Sequence, residues 1–454
     1  MGECGRGLVS KENMGMSASQ SIEAGHDDST SGKSSGVEGA LHELANQTIG
    51  VAQRARFLFG FLLCGILWYA PFAAAIGILL PQRFLDDGVG NPTALVAQLN
   101  SIGAFVALAA NLLWGTLSDR SRSRFGRRSP FMVVGAALAG LFLWLTSVVG
   151  SPAMIILCWC GAQLFLNMLL APFLAVLSDR VPENNRASMS AAYGLGVTVG
   201  QSVGQIVGAQ LIHNLGFGIL LSGVLLGVTG LLVVIIWPKE PSAQNLPAAN
   251  EGLGSLIKAF TPPTKNCRDF YLALFGRLFM VTSMYMIVNY QLYILQKYIG
   301  LDATGSAAVL SITAVIIMIA SLIASAVTGP LSDFIQRRKI LVIGAALIIA
   351  VGFLIPAFFP TAWAMYAWAG LYGFGYGVYN ACDQALNVDV LPSKAEAGKD
   401  LGILNLSNTV GQMAGPVATS LIVMAFGSYQ LAFLIGAIVL AVSCVFIAII
   451  RKAK

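Results

Sequence analysis

Charge is scarce along this chain. Only 11% of its 454 residues are charged, whereas a soluble domain carries roughly 25%. Hydrophobic residues make up 56% of the sequence, and the mean hydropathy is +0.74. No soluble fold could bury that much apolar surface, so the composition indicates a polytopic membrane protein. The net charge of +6 does not indicate nucleic-acid binding, because the basic residues flank the apolar runs.

Paired cysteines and histidine clusters are also missing. The seven cysteines form no CxxC pair and show no metal-ligand spacing with the three histidines. The sequence contains no nucleophile–base constellation. The glycines of Gly373-Phe-Gly375-Tyr-Gly377 lie inside an apolar run, where they do not form a nucleotide loop. We therefore predict no enzyme activity, no metal site and no cofactor.

Long apolar runs fill most of the chain after a polar start. Residues 1–54 are rich in Ser and Gly and contain no such run, so we expect a disordered cytoplasmic tail. A spanning helix needs about 20 mostly apolar residues. Twelve runs of this kind follow, at approximately 57–80, 95–117, 130–149, 152–177, 188–212, 217–237, 270–295, 305–328, 340–359, 362–387, 401–424 and 429–450.

The longest polar break divides these runs into six and six. It covers residues 238–268 and contains five prolines. This break predicts an N-terminal six-helix half at 55–237 and a cytoplasmic linker at 238–268. A C-terminal six-helix half follows at 269–454 and ends in a short cytoplasmic tail.

Basic residues gather at alternate ends of the predicted helices. They precede run 1, follow runs 2, 4, 8 and 10, and fill the central break and the C-terminus. The opposite loops offer only Arg83 and Lys297, each beside acids. Because Lys and Arg near helix ends favour the cytoplasmic side, we expect a multi-pass protein of the cell membrane with both termini in the cytoplasm.

Two motifs of the first half recur in the second. Gly115-Thr-Leu-Ser-Asp119 after run 2 is echoed 214 residues later by Gly329-Pro-Leu-Ser-Asp333 after run 8. Asp179-Arg-Val-Pro182 after run 4 is echoed 210 residues later by Asp389-Val-Leu-Pro392 after run 10. The shared order and nearly equal offset indicate parallel six-helix halves, the organisation of major facilitator transporters.

The loop after run 2 carries a family resemblance. Gly115-Thr-Leu-Ser-Asp119-Arg120-Ser-Arg-Ser-Arg124-Phe-Gly126-Arg127-Arg128-Ser-Pro130-Phe131 resembles the helix 2–3 signature of the major facilitator superfamily. Its form is similar to the branch of sucrose transporters and glycoside–pentoside–hexuronide symporters. The resemblance covers residues from about 55 to the end, although Gln336 stands where the second copy would have its second glycine. It implies an all-α membrane protein with twelve transmembrane helices that transports a small molecule, and we expect a monomer.

The same loop suits a conformational latch on the cytoplasmic side. Its glycine at 115 permits close helix approach. Its acid at 119 can face the positive N-terminus of a neighbouring helix, which is worth about 0.3–1 kcal/mol. The arginines can pair with this acid or with anionic lipid headgroups; alternatively, they only set the topology. The predicted latch consists of Gly115, Asp119, Arg120, Gly126, Arg127, Arg128 and Asp333.

Two ionisable side chains fall at bilayer depth, Arg277 in run 7 and Asp383 in run 10. Such groups are costly there and are usually functional. Desolvation favours the protonated carboxyl group, so Asp383 with Arg277 could couple transport to protons. Alternatively, Arg277 only neutralises Asp383, or its side chain reaches the cytoplasmic interface. The resembled sugar symporters place coupling carboxylates in the N-terminal half, but runs 1 to 6 contain no acid between their ends, which disfavours a sodium site.

The predicted substrate site centres on run 10. Tyr372, Tyr376, Tyr379 and Asp383 share one helical face, and Asn380 lies beside them. Tyrosine rings stack on the C–H face of a pyranose, while amides and carboxylates bind its hydroxyls. This face therefore predicts a sugar site.

Amides on other helices extend this site. Helices 1, 4, 7 and 10 line the cavity in the resembled superfamily, which adds Gln163 and Asn167 of run 4 and Asn289 of run 7. Amide pairs at helical spacing fit interhelical hydrogen bonding equally well. Further such residues are Gln201, Gln205, Asn405, Asn408 and Gln412.

The predicted function is alternating-access transport, with proton-coupled uptake of a sugar or small oligosaccharide. A drug or metabolite exporter working as a proton antiporter is the first alternative. Its site should be mostly apolar, which the Tyr/Asn/Asp face opposes. A non-transporting membrane sensor is the second alternative, although it could dispense with the latch and with a polar cavity.

Overall fold

The computed structural model describes residues 50–244, 262–263, 267–335, 337–392 and 397–451. The predicted disordered tail lies outside these residues apart from its last five positions, as does most of the predicted linker. In the described ranges the chain forms helices and no strand. The all-α expectation is therefore confirmed.

Twelve long helices make up the described chain. The first, α1, runs from Val51 to Ala74 and continues through a π-helical turn (Ala75–Leu79) into Leu80–Asp86. A short helix (Gln291–Tyr293) and a second π-helical turn (Ile294–Tyr298) follow α7. The other helices are α2 Pro92–Arg120, α3 Ser129–Val148, α4 Pro152–Asp179, α5 Glu183–Gln210, α6 Leu215–Ile236, α7 Arg268–Val288, α8 Ala303–Ile335, α9 Arg338–Phe358, α10 Ala362–Asp389, α11 Ala397–Phe426 and α12 Tyr429–Ala448.

Ten of the twelve helices are long and apolar enough to be recognised as membrane spans by composition alone. The exceptions are α5 and α10, which carry many glycines and polar residues. Both pack inside the bundle, α5 against α1 and α8, and α10 against α8 and α9. Several of their polar residues, among them Gln205 of α5 and Asn387 of α10, are buried against other helices, where polar groups are tolerated.

The two ends of the bundle differ in their loops. We call the end at which α2 and α4 finish the basic face, and the end at which they begin the opposite face. Helices starting at the opposite face have short polar caps: Asn91 accepts a hydrogen bond from Ala94 N, and Ser151 accepts one from Met154 N. Each is followed by proline in the first turn. These signals start a helix within a few residues of the previous one.

Helix contacts repeat between the halves. In the first half α1 packs against α5 and α6, α3 packs against α4 and α6, and α2 packs against α4. In the second half α7 packs against α11 and α12, α9 against α10 and α12, and α8 against α10. The halves meet through α2 with α11 and through α5 with α8. Each of these contacts has its counterpart six helices along, which confirms the expected fold of two six-helix halves.

Glycines bring equivalent helices together. A Cβ atom on Gly204 of α5 would lie 2.1 Å from the carbonyl oxygen of Ala70 in α1. A Cβ atom on Gly415 of α11 would lie 2.6 Å from the carbonyl oxygen of Thr282 in α7. Only glycine allows these backbones to approach so closely.

Hydrogen bonds join the two halves at the opposite face. The Tyr290 hydroxyl donates to the carbonyl oxygen of Thr93 (3.1 Å), and the Tyr293 hydroxyl donates to that of Pro81 (2.9 Å). Gln296 Nε2 donates to Gln82 Oε1 at 2.7 Å. The tyrosines follow the end of α7 at Val288, which is earlier than the predicted 295. The chain turns there, and this turn directs the tyrosines at the first half.

Candidate functional site

A cavity of about 450 Å³ lies between the halves at mid-depth. Seven helices line it, α1, α2, α4, α5, α7, α10 and α11. Its volume falls within the range of about 300–1,000 Å³ that is usual for small-molecule sites. Its polar and aromatic lining consists of Trp68, Tyr69, Phe72, Asn100, Asn111, Gln163, Asn167, Gln201, Gln205, Tyr285, Asn289, Tyr372, Tyr376, Thr409 and Gln412.

Aromatic rings stand on both sides of this cavity. On α1, the Trp68 and Tyr69 rings meet edge to face with their centroids 4.7 Å apart. On α10, the Tyr372 and Tyr376 rings stack at 5.8 Å and 9°. Trp368 extends this stack from behind, 5.1 Å from Tyr372. Each half therefore presents flat apolar surface to the cavity.

Amides supply most of the cavity's hydrogen-bonding groups. Three are engaged with protein: Asn100 donates to Val96 O, Asn167 donates to Gln163 O, and Asn111 donates to Asn167 Oδ1. The amide groups of Gln163, Gln201, Gln205, Asn289 and Gln412 have no hydrogen-bond partner among the described residues. These five amides are free to bind a ligand.

Most of the predicted substrate residues lie at this cavity. Tyr372, Tyr376, Asn289, Gln163 and Asn167 all line it. Of these, Asn167 donates a hydrogen bond to Gln163 O and accepts one from Asn111.

Two predicted substrate residues lie elsewhere. Tyr379 is buried beside Asp383 and Arg277, and Asn380 is exposed. Tyr379 shares the helical face of Tyr372, but seven residues of helix place it about 10 Å further along the axis. Helical spacing gives the shared face, but it does not give the depth at which the cavity ends.

The two ionisable residues at membrane depth form a buried ion pair. Arg277 Nη2 lies 3.2 Å from Asp383 Oδ2, and Arg277 Nη1 donates to Asn405 Oδ1 at 3.0 Å. Asn387 Nδ2 donates to the same Asp383 oxygen at 3.1 Å. Both charged side chains are less than a tenth exposed. Arg277 thus does not reach the interface, and the pair links α7, α10 and α11.

Neither partner of this ion pair lines the cavity. Among the described residues, the cavity lining contains no acidic or basic side chain. Tyr379 lies between the pair and the cavity along α10, one turn beyond Tyr376. The charged site and the cavity are therefore neighbours on one helix.

Charged residues of the first half meet where α2 and α4 end. Asp119 Oδ1 lies 2.6 Å from Arg127 Nη2 and 2.7 Å from Arg128 Nη2. Arg128 also pairs with Asp179 Oδ2 at 2.8 Å and donates to Ser118 Oγ. Its side chain is only 5% exposed. Arg128 thus joins the end of α2, the start of α3 and the end of α4.

A further carboxylate of this cluster, Glu240, was missed by the sequence analysis. Its oxygens accept hydrogen bonds from the backbone N–H groups of Arg127, Arg128 and Ser129, and from the Ser129 hydroxyl. Glu240 therefore caps α3 from the linker, where a helix N-terminus favours negative charge. The signal was its place in Pro238-Lys-Glu240-Pro241, a short proline-bounded charged segment soon after α6.

The structure places several residues of the predicted latch differently from the expectation. The carboxylate that faces the N-terminus of α3 is that of Glu240 and not, as predicted, that of Asp119. Asp119 pairs instead with Arg127 and Arg128. Gly126 has φ +102°, and a Cβ atom there would collide with Glu240, so its role is in the turn. A Cβ atom on Gly115 would meet nothing within 4 Å, so the expected close approach is not seen in this conformation. The Asp333 side chain lies outside the described part, and Arg120 is exposed.

The second half has its own version of the ion pair around Arg128. Arg338 Nη1 lies 3.0 Å from Asp389 Oδ1, at the positions 210 residues after Arg128 and Asp179. This pair is more exposed, with 26% of the Arg338 side chain accessible. The repeat that was read from the acids therefore includes their arginine partners.

Comparison with known proteins agrees with this architecture. The family described as the Major Facilitator Superfamily matches residues 57–324 and 275–454. The chain belongs to the Major Facilitator Superfamily. It is therefore a multi-pass membrane transporter of the superfamily and not an enzyme.

Solved structures of other transporters are similar to it in fold. A bacterial homologue of the human lysosomal transporter Spinster, inward-facing and unoccupied, has a TM-score of 0.65 and 15% identity over 88% of this chain and 96% of its own. The nucleoside transporter NupG has a TM-score of 0.69 and 15% identity over 88% and 100%. No sequence among the curated proteins matches this chain significantly.

Proposed function

We propose that this transporter carries a neutral, hydroxylated molecule, a sugar or small oligosaccharide, by alternating access. One observation carries the proposal: the central cavity combines aromatic rings and free amides with no charged side chain among the described residues. The resemblance of its helix 2–3 loop to the sucrose transporters and the glycoside–pentoside–hexuronide symporters supports the same substrate class.

The chemistry of the lining favours such a substrate over a charged or wholly apolar one. Rings such as Tyr372 and Tyr376 can stack on the C–H face of a pyranose, and amides both donate to and accept from its hydroxyls. A charged substrate would lose its hydration without gaining a counter-charge. An apolar drug would leave the amides unpaired, at a cost of about 1–3 kcal/mol for each.

Uptake coupled to protons is the direction and energy source that we propose. The basic loops favour an orientation in the cell membrane with both termini in the cytoplasm. Their arginines can also bind anionic lipid headgroups. Asp383 is the acid at membrane depth, and protonation would weaken its bond to Arg277. Because the pair lies outside the cavity lining, coupling would act through α7 and α10 and not by direct contact with substrate. We propose a monomer as the transporting unit.

Proteoliposome uptake tests this proposal. The panel contains monosaccharides, disaccharides, nucleosides and apolar cations, each with and without an inward proton gradient. We expect uptake of at least one sugar, accumulation only with the gradient, and loss of accumulation in Asp383→Asn. Asp389→Asn is the matched control, since Asp389 lies on the same helix at the basic face.

Each other result points elsewhere. Transport of cations alone would favour the exporter, and binding of sugar without transport would favour the sensor. Sugar accumulation that ignores the gradient, or that survives in Asp383→Asn, would overturn proton coupling and leave the substrate class intact.

A further inference from the structure

A third repeat joins the two halves, and it falls on the helices that cross at the cavity. Thr198-Val-Gly200-Gln201-Ser-Val-Gly204 in α5 is echoed 211 residues later by Thr409-Val-Gly411-Gln412-Met-Ala-Gly415 in α11. Five of the seven positions are identical, and the offset agrees with those of the loop motifs. Helices α5 and α11 are also counterparts in packing, since α5 lies on α1 and α11 lies on α7.

The glycines of this repeat pack against the neighbouring helix of the same half, α1 for α5 and α7 for α11. A Cβ atom on Gly200 would lie 3.0 Å from the carbonyl oxygen of Gly65 in α1. A Cβ atom on Gly411 would lie 2.8 Å from Val281 Cβ in α7. Each glycine lies on the face of its helix that packs against the neighbour. Because successive residues of an α-helix are rotated by about 100°, the residue after the glycine points away from that face.

That next residue is the glutamine, and both glutamines line the cavity. Gln201 reaches it from the first half and Gln412 from the second. Neither amide has a hydrogen-bond partner among the described residues. A merely structural pair of amides in a membrane helix would be expected to bond across to another helix.

We infer that Gln201 and Gln412 are a symmetry-related pair that binds hydroxyls of one substrate molecule, one glutamine from each half. This inference rests on the proposed function, because it assigns the contacts of the same cavity. Each amide group can donate a hydrogen bond to a hydroxyl oxygen or accept one from a hydroxyl proton, so each glutamine binds one hydroxyl. The pair therefore recognises two separate hydroxyl groups of a neutral polyol. Because the glutamines belong to different halves, the bound molecule contacts both halves at once.

The test uses equilibrium binding to purified, detergent-solubilised protein. The ligands are the sugar that the uptake panel identifies and its complete set of monodeoxy analogues. The variants are Gln201→Met and Gln412→Met, which keep side-chain length and remove the hydrogen bonds. Gln210→Met is the control, because Gln210 is an exposed residue of α5 outside the cavity.

Each variant should lower affinity for the parent sugar about five- to tenfold, which is the effect of losing one neutral hydrogen bond. Each should also lose discrimination against one deoxy analogue that the unaltered protein binds about tenfold less tightly. The analogue should differ between the two variants. Gln210→Met should match the unaltered protein with every ligand.

Loss of discrimination separates ligand contact from a role in packing, which would change affinity for all analogues alike. If both variants keep the full pattern of discrimination, or if both lose it for the same hydroxyl, the inference is wrong. Where Gln201→Met or Gln412→Met does not fold, Gln201→Glu and Gln412→Glu replace them and must alter the same discrimination. Failure of every sugar to bind the unaltered protein would instead refute the proposed function.

Discussion

The two halves share their helix packing but not their charges. In the first half α1 packs against α5 and α6, and in the second half α7 packs in the same way against α11 and α12. Helices α1–α6 carry no acidic or basic side chain away from their ends. The second half holds the buried pair of Arg277 and Asp383. At the basic face the first half has the more buried charges, because the ion pairs of Arg128 are less exposed than the pair of Arg338 and Asp389 in the second half.

This difference separates two kinds of constraint. Packing is repeated because both halves must bury the same helix faces, and glycines at equivalent positions achieve this in each. Charged side chains are not needed to bury these faces, so one copy of a charged site can diverge while the backbone stays the same. Changes to packing should thus act equally in the halves, whereas changes to charge should act unequally.

The largest effect should follow removal of one partner of the buried ion pair. Arg277→Met leaves the Asp383 carboxylate buried without its cation, which typically costs about 3–5 kcal/mol. We expect a corresponding fall in the free energy of unfolding in detergent. Replacing both partners, Arg277→Met with Asp383→Leu, should recover most of it, because no charge is left buried. A single variant as stable as the parent would show that the pair is not buried.

The next largest loss of stability should follow substitution of the packed glycines, and it should be similar in the two halves. A methyl group on Gly204 or Gly415 meets backbone oxygen, and overpacking of this kind typically costs about 1–3 kcal/mol. We expect similar losses of unfolding free energy for Gly204→Ala and Gly415→Ala. Gly194→Ala and Gly402→Ala are matched controls on the same helices.

At both control positions a Cβ atom meets nothing within 4 Å. These changes should be neutral or stabilise by up to about 1 kcal/mol, as alanine does in helices. A large loss in only one of the two packed positions would contradict the packing symmetry.

Arginine-to-lysine changes at the basic face should separate the halves again. Lysine keeps the charge but cannot reproduce the fork by which Arg128 reaches Asp119, Asp179 and Ser118. We expect Arg128→Lys to lose about 1–2 kcal/mol of unfolding free energy. Arg338→Lys should lose less than about 1 kcal/mol, because its pair with Asp389 is screened by solvent. Equal losses in a thermal unfolding assay would remove the asymmetry.

Much of the fold could be predicted because the bilayer imposes it. The length of the mostly apolar runs located all twelve helices, including α5 and α10, whose glycines and polar residues keep them from being recognised by hydropathy alone. Loop motifs located the repeat. The break after Val288 was not predicted, because the residues there, Asn289 and Tyr290, do not terminate a helix by themselves. Contacts of Tyr290 with α2 become visible only in the folded bundle.

The candidate site was predicted in part, for a related reason. Helical spacing assigns a residue to a face, so Tyr372 and Tyr376 were placed correctly on one side of α10. Spacing does not give the depth at which the cavity ends, and Tyr379 therefore falls next to Asp383. Gln201 and Gln412 were weighed as equally suited to bonding between helices. Their amides lie unpaired at the cavity, which supports the inferred contact with substrate, and this becomes apparent only once the neighbouring helices are in place.

The smallest effect should come from the linker carboxylate that has no counterpart in the described part of the second half. Glu240→Gln keeps an acceptor but removes the charge at the N-terminus of α3, a loss of about 1 kcal/mol. Glu183→Gln is the comparison, because Glu183 also lies in the first turn of a helix, α5, but its side chain is 76% exposed and only reaches Arg186 at 3.5 Å. We expect thermal unfolding of Glu240→Gln to shift further to lower temperature than that of Glu183→Gln, and the shift should shrink in high salt because charge at a helix terminus is screened. An effect that is insensitive to salt would mean that Glu240 acts by packing the linker against Gly126 and not through the helix terminus.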